Sequence, residues 1–124
     1  MVEAAQKVET EYGYVTEVAP RLKRAYQDLF TFAGRSGGGL LKSYLEGIER
    51  SEEEVAQRRS EANDFLAGLK SQPDISEEEL ADLLHRFNGY AGRLRVIKVG
   101  FQDELASVER QNDEYRKRII SSPP

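Results

Sequence analysis

Residues 76–119 read SEEELADLLHRFNGYAGRLRVIKVGFQDELASVERQNDEYRKRI, and this single stretch sets the class of fold. Its apolar residues recur at steps of three and four, which places them on one face of an α-helix. Ser76 and Glu79 match a capping box, so the helix should begin there. At 1.5 Å per residue, a continuous helix would be roughly 65 Å long. The apolar positions are Leu80, Leu83, Phe87, Tyr90, Leu94, Ile97, Phe101, Leu105, Val108, Tyr115 and Ile119.

The weak point of this predicted helix lies at Gly89 and Gly92. Each glycine inside a helix costs about 1 kcal/mol relative to alanine. Either the helix breaks at Gly89, which would make four helices, or the small residues allow another helix to approach closely. The apolar register continues across the site, which favours one helix with a kink.

A second periodic stretch covers residues 3–33, where apolar residues alternate in steps of four and three, the spacing of a coiled-coil seam. Pro20 lies inside it, and a proline there removes one backbone hydrogen bond and presses on the carbonyl four residues earlier. The unbroken register favours one kinked helix over two pieces. The seam residues are Val8, Tyr12, Val15, Ala19, Leu22, Tyr26, Leu29 and Ala33.

The glycine-rich residues 34–39 follow, with the sequence GRSGGG, and Lys42 and Ser43 come soon after. A phosphate-binding loop requires a glycine directly before the Lys-Ser pair and a strand before the loop. Leu41 stands in place of that glycine, and no strand is predicted. We therefore interpret these residues as a flexible connection between helices.

A third periodic stretch, residues 40–70, has its seam at Leu41, Leu45, Ile48, Glu52, Val55, Arg59, Ala62, Leu66 and Leu69. Glu52 and Arg59 are polar residues at seam positions. Such residues can fix the register of a coiled coil. The alternative, which we favour, is that both side chains reach water through their long stems.

Together the three stretches predict an all-α fold, an antiparallel three-helix bundle or coiled coil with a long C-terminal helix, in one domain over residues 1–124. The third helix should extend past the others by about a dozen residues, or some 20 Å. Apolar residues in that extension would face water in a monomer, so we expect them to contact a partner protein or a second copy. These candidate partner-binding residues are Val108, Tyr115, Ile119 and Ile120.

The formal charge of −4 at pH 7 argues against a general nucleic-acid binder, which is usually basic. Residues 83–101 nevertheless combine bases with aromatic residues and contain no acid, a composition that could bind phosphates and stack bases. The aromatic residues occupy seam positions, so we expect them in the core and the bases paired with the acidic second helix. The candidate charged-surface residues are Arg86, Arg93, Arg95 and Lys98.

Candidates for catalysis are few. His85 is the only histidine. Since no second helix carries a Glu-x-x-His pair, we expect it to be solvated and not a metal ligand. The absence of cysteine excludes disulfides and thiolate chemistry. We therefore expect no enzymatic activity, metal, cofactor or small-molecule substrate.

The composition, with 32% charged and 39% hydrophobic residues, is typical of a soluble helical bundle. No apolar run approaches the ~18 residues of a membrane span, and we expect a cytoplasmic protein. The leading hypothesis is a non-enzymatic scaffold or adaptor that self-associates as a dimer or docks a partner helix. One alternative is a small acidic secretion or assembly chaperone that shields an apolar client segment. Another is an accessory protein that binds nucleic acid through residues 86–98.

Overall fold

The protein is a bundle of three helices. The computed structural model describes residues 2–32, 39–72 and 74–121, and all regular structure in these ranges is helical. Helix α1 spans Val2–Phe32, α2 spans Gly39–Ser71 and α3 spans Glu77–Ser121. The predicted all-α three-helix bundle is confirmed, and each end lies within one or two residues of its predicted position. The predicted glycine-rich connection, apart from Gly39, lies outside the described residues.

The start of α3 has the predicted cap. The backbone N–H of Glu79 donates a hydrogen bond to the Ser76 Oγ at 3.2 Å. The helix then continues through Gly89 and Gly92, so the alternative of four helices is wrong. A methyl group added at either glycine would meet no atom of another helix within 4 Å, so neither glycine serves the close approach of another helix.

Helix α1 is also continuous, and the alternative of two pieces that meet at Pro20 is wrong. Pro20 itself is exposed, whereas the next turn places Leu22 fully inside the core. The buried residues on both sides of the proline hold the helix in register, since their burial outweighs the loss of one backbone hydrogen bond.

Ion pairs between the helices show how the helices are oriented relative to one another. Helices α1 and α2 are antiparallel, because paired residue numbers rise in one helix as they fall in the other. Helices α1 and α3 are parallel, and their paired residues differ in number by 87 or 88. The pairs are Glu9–Arg59 and Lys23–Glu52 between α1 and α2, and Glu11–Lys98 and Arg21–Glu109 between α1 and α3.

The extra length of α3 lies at its N-terminal end, not at its C-terminal end as predicted. At the observed offset, α1 begins level with residue 89 of α3. Residues 77–88 therefore extend past α1 and lie beside the C-terminal end of α2, where the Arg86 guanidinium stands 5.4 Å from the centre of the Phe65 ring. The same offset places the whole of α1 beside the part of α3 that follows residue 88, so the C-terminal part of α3 is covered by α1.

Helix α1 occupies the centre of the core. It contributes nine buried apolar residues, α3 contributes seven and α2 only three, among the described residues. Helices α2 and α3 touch each other less than either touches α1. The buried residues of α2 are Ile48, Val55 and Ala62.

The two polar seam residues of α2 form ion pairs with α1, which we did not predict, while part of each side chain reaches water as we expected. The Lys23 Nζ lies 2.5 Å from the Glu52 Oε1. The Arg59 Nε lies 2.9 Å from a Glu9 carboxylate oxygen, and its guanidinium stands over the ring of Tyr12. Both seam residues are only half-buried, so charge pairing replaces apolar burial along this seam.

Candidate functional site

The predicted partner-binding residues of α3 do not share one environment. Val108 is 3% exposed and belongs to the core, so the expectation that it faces water is wrong. At the observed offset between α1 and α3, helix α1 runs beside Val108. Tyr115 is half-buried. Ile119 and Ile120 belong to α3, but their side chains lie outside the described residues.

Val108 and Tyr115 nevertheless meet at one feature, an open cleft of about 410 Å³. It lies where the C-terminal end of α1, the N-terminal end of α2 and the C-terminal half of α3 converge. This volume is within the range of about 300–1,000 Å³ that is usual for ligand sites. We call it the tyrosine cleft, and its lining consists of Tyr26, Leu29, Phe30, Leu40, Tyr44, Glu104, Ser107, Val108, Gln111 and Tyr115.

The aromatic side of the cleft is built from two helices. The rings of Tyr26 and Tyr44 are stacked, with centroids 4.7 Å apart and planes 9° from parallel. Phe30, one turn after Tyr26, meets the Tyr44 ring edge-on at 6.3 Å. Such contacts contribute about 0.5–1.5 kcal/mol each beyond the area that they bury. The aromatic contacts therefore fix the N-terminal end of α2 against α1 at this point.

The polar side of the cleft is centred on Glu104 of α3. The Tyr26 hydroxyl donates a hydrogen bond to the Glu104 Oε1. Burial, and then the hydrogen bond to Glu104 and its negative charge, raise the pKa of Tyr26 above its ordinary value. The tyrosine therefore stays protonated and acts as a donor, and Glu104 is the one charged residue among the described residues of the lining.

The mouth of the cleft exposes large apolar side chains. Leu40 is 54% exposed and Tyr44 is 41% exposed. Since α2 begins only at Gly39, these residues lie in its first two turns, with less of the bundle to cover them. Exposed apolar groups beside a concave polar site are typical of a surface that binds another molecule.

Sequence reasoning missed Tyr44, Leu40 and Glu104 as parts of a site. A signal for one contact was present, because an antiparallel pair of helices joined around residue 35 places Tyr26 opposite Tyr44, each nine residues from that centre. No comparable signal existed for Glu104. Its position depends on the stagger between α1 and α3, which the periodicity of neither helix specifies.

The predicted basic surface is largely neutralised by pairing. Arg86 pairs with Asp82 in its own helix, Arg93 with Glu54 of the acidic helix α2, and Lys98 with Glu11 of α1. Arg95 is exposed and has no charged partner among the described residues. The aromatic residues beside these bases are not available for base stacking, since Phe87 and Phe101 are buried and Tyr90 is packed near Phe65. These contacts weaken the case for nucleic-acid binding.

The described residues contain no group of His, Asp and Glu side chains that could hold a metal ion. His85 is exposed, as the sequence predicted. Over the same part of the chain, no helix has an apolar stretch sufficient to cross a membrane. What the tyrosine cleft offers chemically is a carboxylate, hydroxyl and amide groups and aromatic rings, all of which suit non-covalent binding.

Comparisons of the chain with models of protein families, with curated proteins and with solved structures found no match.

Proposed function

We propose that this protein is a non-enzymatic helical interaction protein, and that its tyrosine cleft docks a segment of another protein. The observation that carries the proposal is the exposure of Leu40 and Tyr44 at the mouth of a cleft that already has a fixed aromatic wall. Tyrosines that are held rigidly contribute large contact area at a low entropic cost, which is why they are frequent at binding hot spots.

Charge favours a foreign partner over a second copy. In a two-fold symmetric dimer, the same surface of each protomer meets itself and must be self-complementary. Two tyrosine clefts brought together would each present the Glu104 carboxylate, and the described residues of the lining include no base to compensate them. A partner of different composition avoids this repulsion.

Selection of amphipathic helical peptides from a display library on the full-length protein would test the proposal. The selected peptides should bind wild type, and Tyr44→Ala should weaken their binding by tenfold or more, as expected for a hot-spot tyrosine. Tyr14→Ala is the matched control. Tyr14 has a similar exposure of 47%, but it lies on α1 beside Lys98 and does not line the tyrosine cleft. That variant should bind the peptides as wild type does.

A second pair of variants tests the mouth of the cleft. Leu40→Glu should abolish peptide binding, whereas Val96→Glu, at a valine that is 61% exposed on α3, should leave it unchanged. Equal binding by all four variants would overturn the proposal. Sedimentation equilibrium of the same proteins would show a dimer if the cleft instead serves self-association, and that dimer would dissociate in Leu40→Glu.

A further inference from the structure

The bundle repeatedly fills the space beside an aromatic ring and a carboxylate with an arginine. Arg59 is the best example: its Nε lies 2.9 Å from a Glu9 oxygen, and its guanidinium carbon lies 4.4 Å from the centre of the Tyr12 ring. Arg86 does the same with Asp82 and Phe65. In both cases one guanidinium satisfies a carboxylate and stacks on a ring, a combination that its planar shape permits.

The tyrosine cleft has a ring and a carboxylate of this kind in Tyr44 and Glu104, but no arginine among the described residues contacts either one. The arginine at the edge of the cleft, Arg118, stands over the Tyr115 ring instead. Tyr44 supplies an exposed ring and Glu104 supplies a half-buried carboxylate. Among the described residues, no base forms an ion pair with Glu104, whose one observed hydrogen bond comes from the Tyr26 hydroxyl. Ser107 and Gln111 line the same space and can accept further hydrogen bonds.

The chemistry of the occupant follows from the cost of covering Glu104. An apolar side chain placed over this carboxylate would remove its water without supplying a compensating charge, which is strongly unfavourable. A cation would compensate it. An arginine suits the site better than a lysine, because the guanidinium is less strongly hydrated and can pair with a carboxylate while it stacks on a ring.

We propose that the segment docked in the tyrosine cleft inserts an arginine side chain, which pairs with Glu104 and stacks on Tyr44. This inference rests on the proposed function and specifies the partner: a helix that carries an arginine flanked by apolar residues. The apolar residues would cover Leu40 and Tyr115, and the arginine would determine specificity.

The test compares three synthetic peptides of one selected sequence, with arginine, citrulline or leucine at the same position, by isothermal titration calorimetry on the full-length protein. Citrulline keeps the shape of arginine and removes its charge. The arginine peptide should bind wild type about 10–100-fold more tightly than either analogue, the usual worth of a hydrogen bond to a charged group.

Glu104→Gln should remove most of this discrimination, while the amide oxygen can still accept the hydrogen bond from Tyr26. Asp103→Asn is the matched control, because it removes the same charge at the neighbouring, exposed position of α3. That variant should retain the preference for arginine. Circular dichroism and urea unfolding would verify that both variants remain folded.

The outcomes separate this inference from the proposed function. Peptides that need Tyr44 but bind equally well with citrulline or leucine would overturn the arginine inference and leave the docking function standing. The same holds if Glu104→Gln retains the preference for arginine. If no selected peptide depends on Tyr44 or Leu40, the proposed function itself fails.

Discussion

Helices α2 and α3 pack against the same central helix by different means. Across the α1–α3 interface, the apolar side chains are almost completely buried, as in Leu22 and Leu94, and the ion pairs between these helices add to an extensive apolar core. Helix α2 buries only three residues and is joined to its neighbours by half-exposed ion pairs. Burial of apolar surface contributes far more to stability than exposed ion pairs do.

This difference shows that α1 and α3 form a firmly packed pair and that α2 packs against them less firmly. The tyrosine cleft lies at the N-terminal end of α2, where the first turns of that helix are exposed. Regions of lower local stability are those from which binding surfaces are usually drawn. Four predictions test this comparison.

The largest effect is expected when a leucine of α3 and a leucine of α2 are each truncated to alanine. Leu94→Ala removes a fully buried side chain of α3 and should lower the free energy of unfolding by about 2–5 kcal/mol. Leu66→Ala, at a half-buried leucine of α2, should cost less than half as much. Urea unfolding followed by circular dichroism would measure both, and equal losses would refute the comparison.

The next effect concerns Tyr26, which joins α1 to both other helices. Its pKa is raised in the folded protein, so its contribution to stability is complete below the unfolded value of about 10 and is lost as the pH rises above it. The free energy of unfolding should fall above pH 10 with a slope of up to about 1.4 kcal/mol per pH unit from this group.

Urea unfolding of wild type and Tyr26→Phe between pH 9 and about 11.5 would measure that slope. The pKa of Tyr90 is raised too, by burial first, and Tyr90 contributes equally to both proteins. The difference between the two slopes therefore belongs to Tyr26. If the two slopes are the same, neither the burial of Tyr26 nor its hydrogen bond to Glu104 raises the pKa of its hydroxyl.

A smaller effect of opposite sign is expected at Asn112, the buried polar residue of the α1–α3 interface. It is 4% exposed, and its Nδ2 donates to the Ala25 carbonyl at 3.1 Å, but its Oδ1 has no partner among the described residues. Asn112→Leu should raise the free energy of unfolding by about 1 kcal/mol, since the buried unpaired oxygen is removed. Asn112→Ala, which leaves a cavity, should lower it.

If Asn112→Leu destabilises the protein by a similar amount, a water molecule or another group satisfies the oxygen. Asn112 would then both stabilise the α1–α3 interface and specify the register between these two helices. A single buried asparagine in a helical seam is known to specify register at a cost in stability. The alternative outcome would therefore change the view of how α1 and α3 are aligned.

The smallest effect is expected from the ion pair of Arg59 with Glu9, which joins α2 to α1. A double-mutant cycle with alanine at both positions should give a coupling energy of about 0.2–1 kcal/mol, reduced by 1 M salt. The same cycle on Lys98 and Glu11, whose side chains are only 15% and 18% exposed, should give a larger coupling that salt affects less. Equal couplings would show that both interfaces depend on charge alike.

The sequence predicted much of the fold because local physics specifies it. Steps of three and four residues can bury a face only in a helix, so three helices and their ends followed from the apolar pattern and from the cap at Ser76. The continuity of α3 through Gly89 also followed, since the register does not change there. These properties depend on residues within one or two turns of each other.

The candidate site depended on contacts that periodicity does not contain. The heptad pattern of α1 and α3 is compatible with several staggers, and each stagger brings different residues together. We predicted from the sequence that α3 extends at its C-terminal end, which would place Val108 in water. The observed offset instead buries Val108 and brings Glu104 to Tyr26. The correct offset is selected by packing and by pairs such as Asn112 with the Ala25 carbonyl, which are remote in sequence.

The sequence alone therefore determined the helices, their ends and the residues on each apolar face, because these follow from backbone hydrogen bonds and side-chain spacing. Only the tertiary structure decided which helix is central, where α3 extends past its neighbours, and which side chains converge on the tyrosine cleft. Those outcomes depend on the relative stagger of α1, α2 and α3, and stagger is set by the free energy of packing between helices that are distant in the chain.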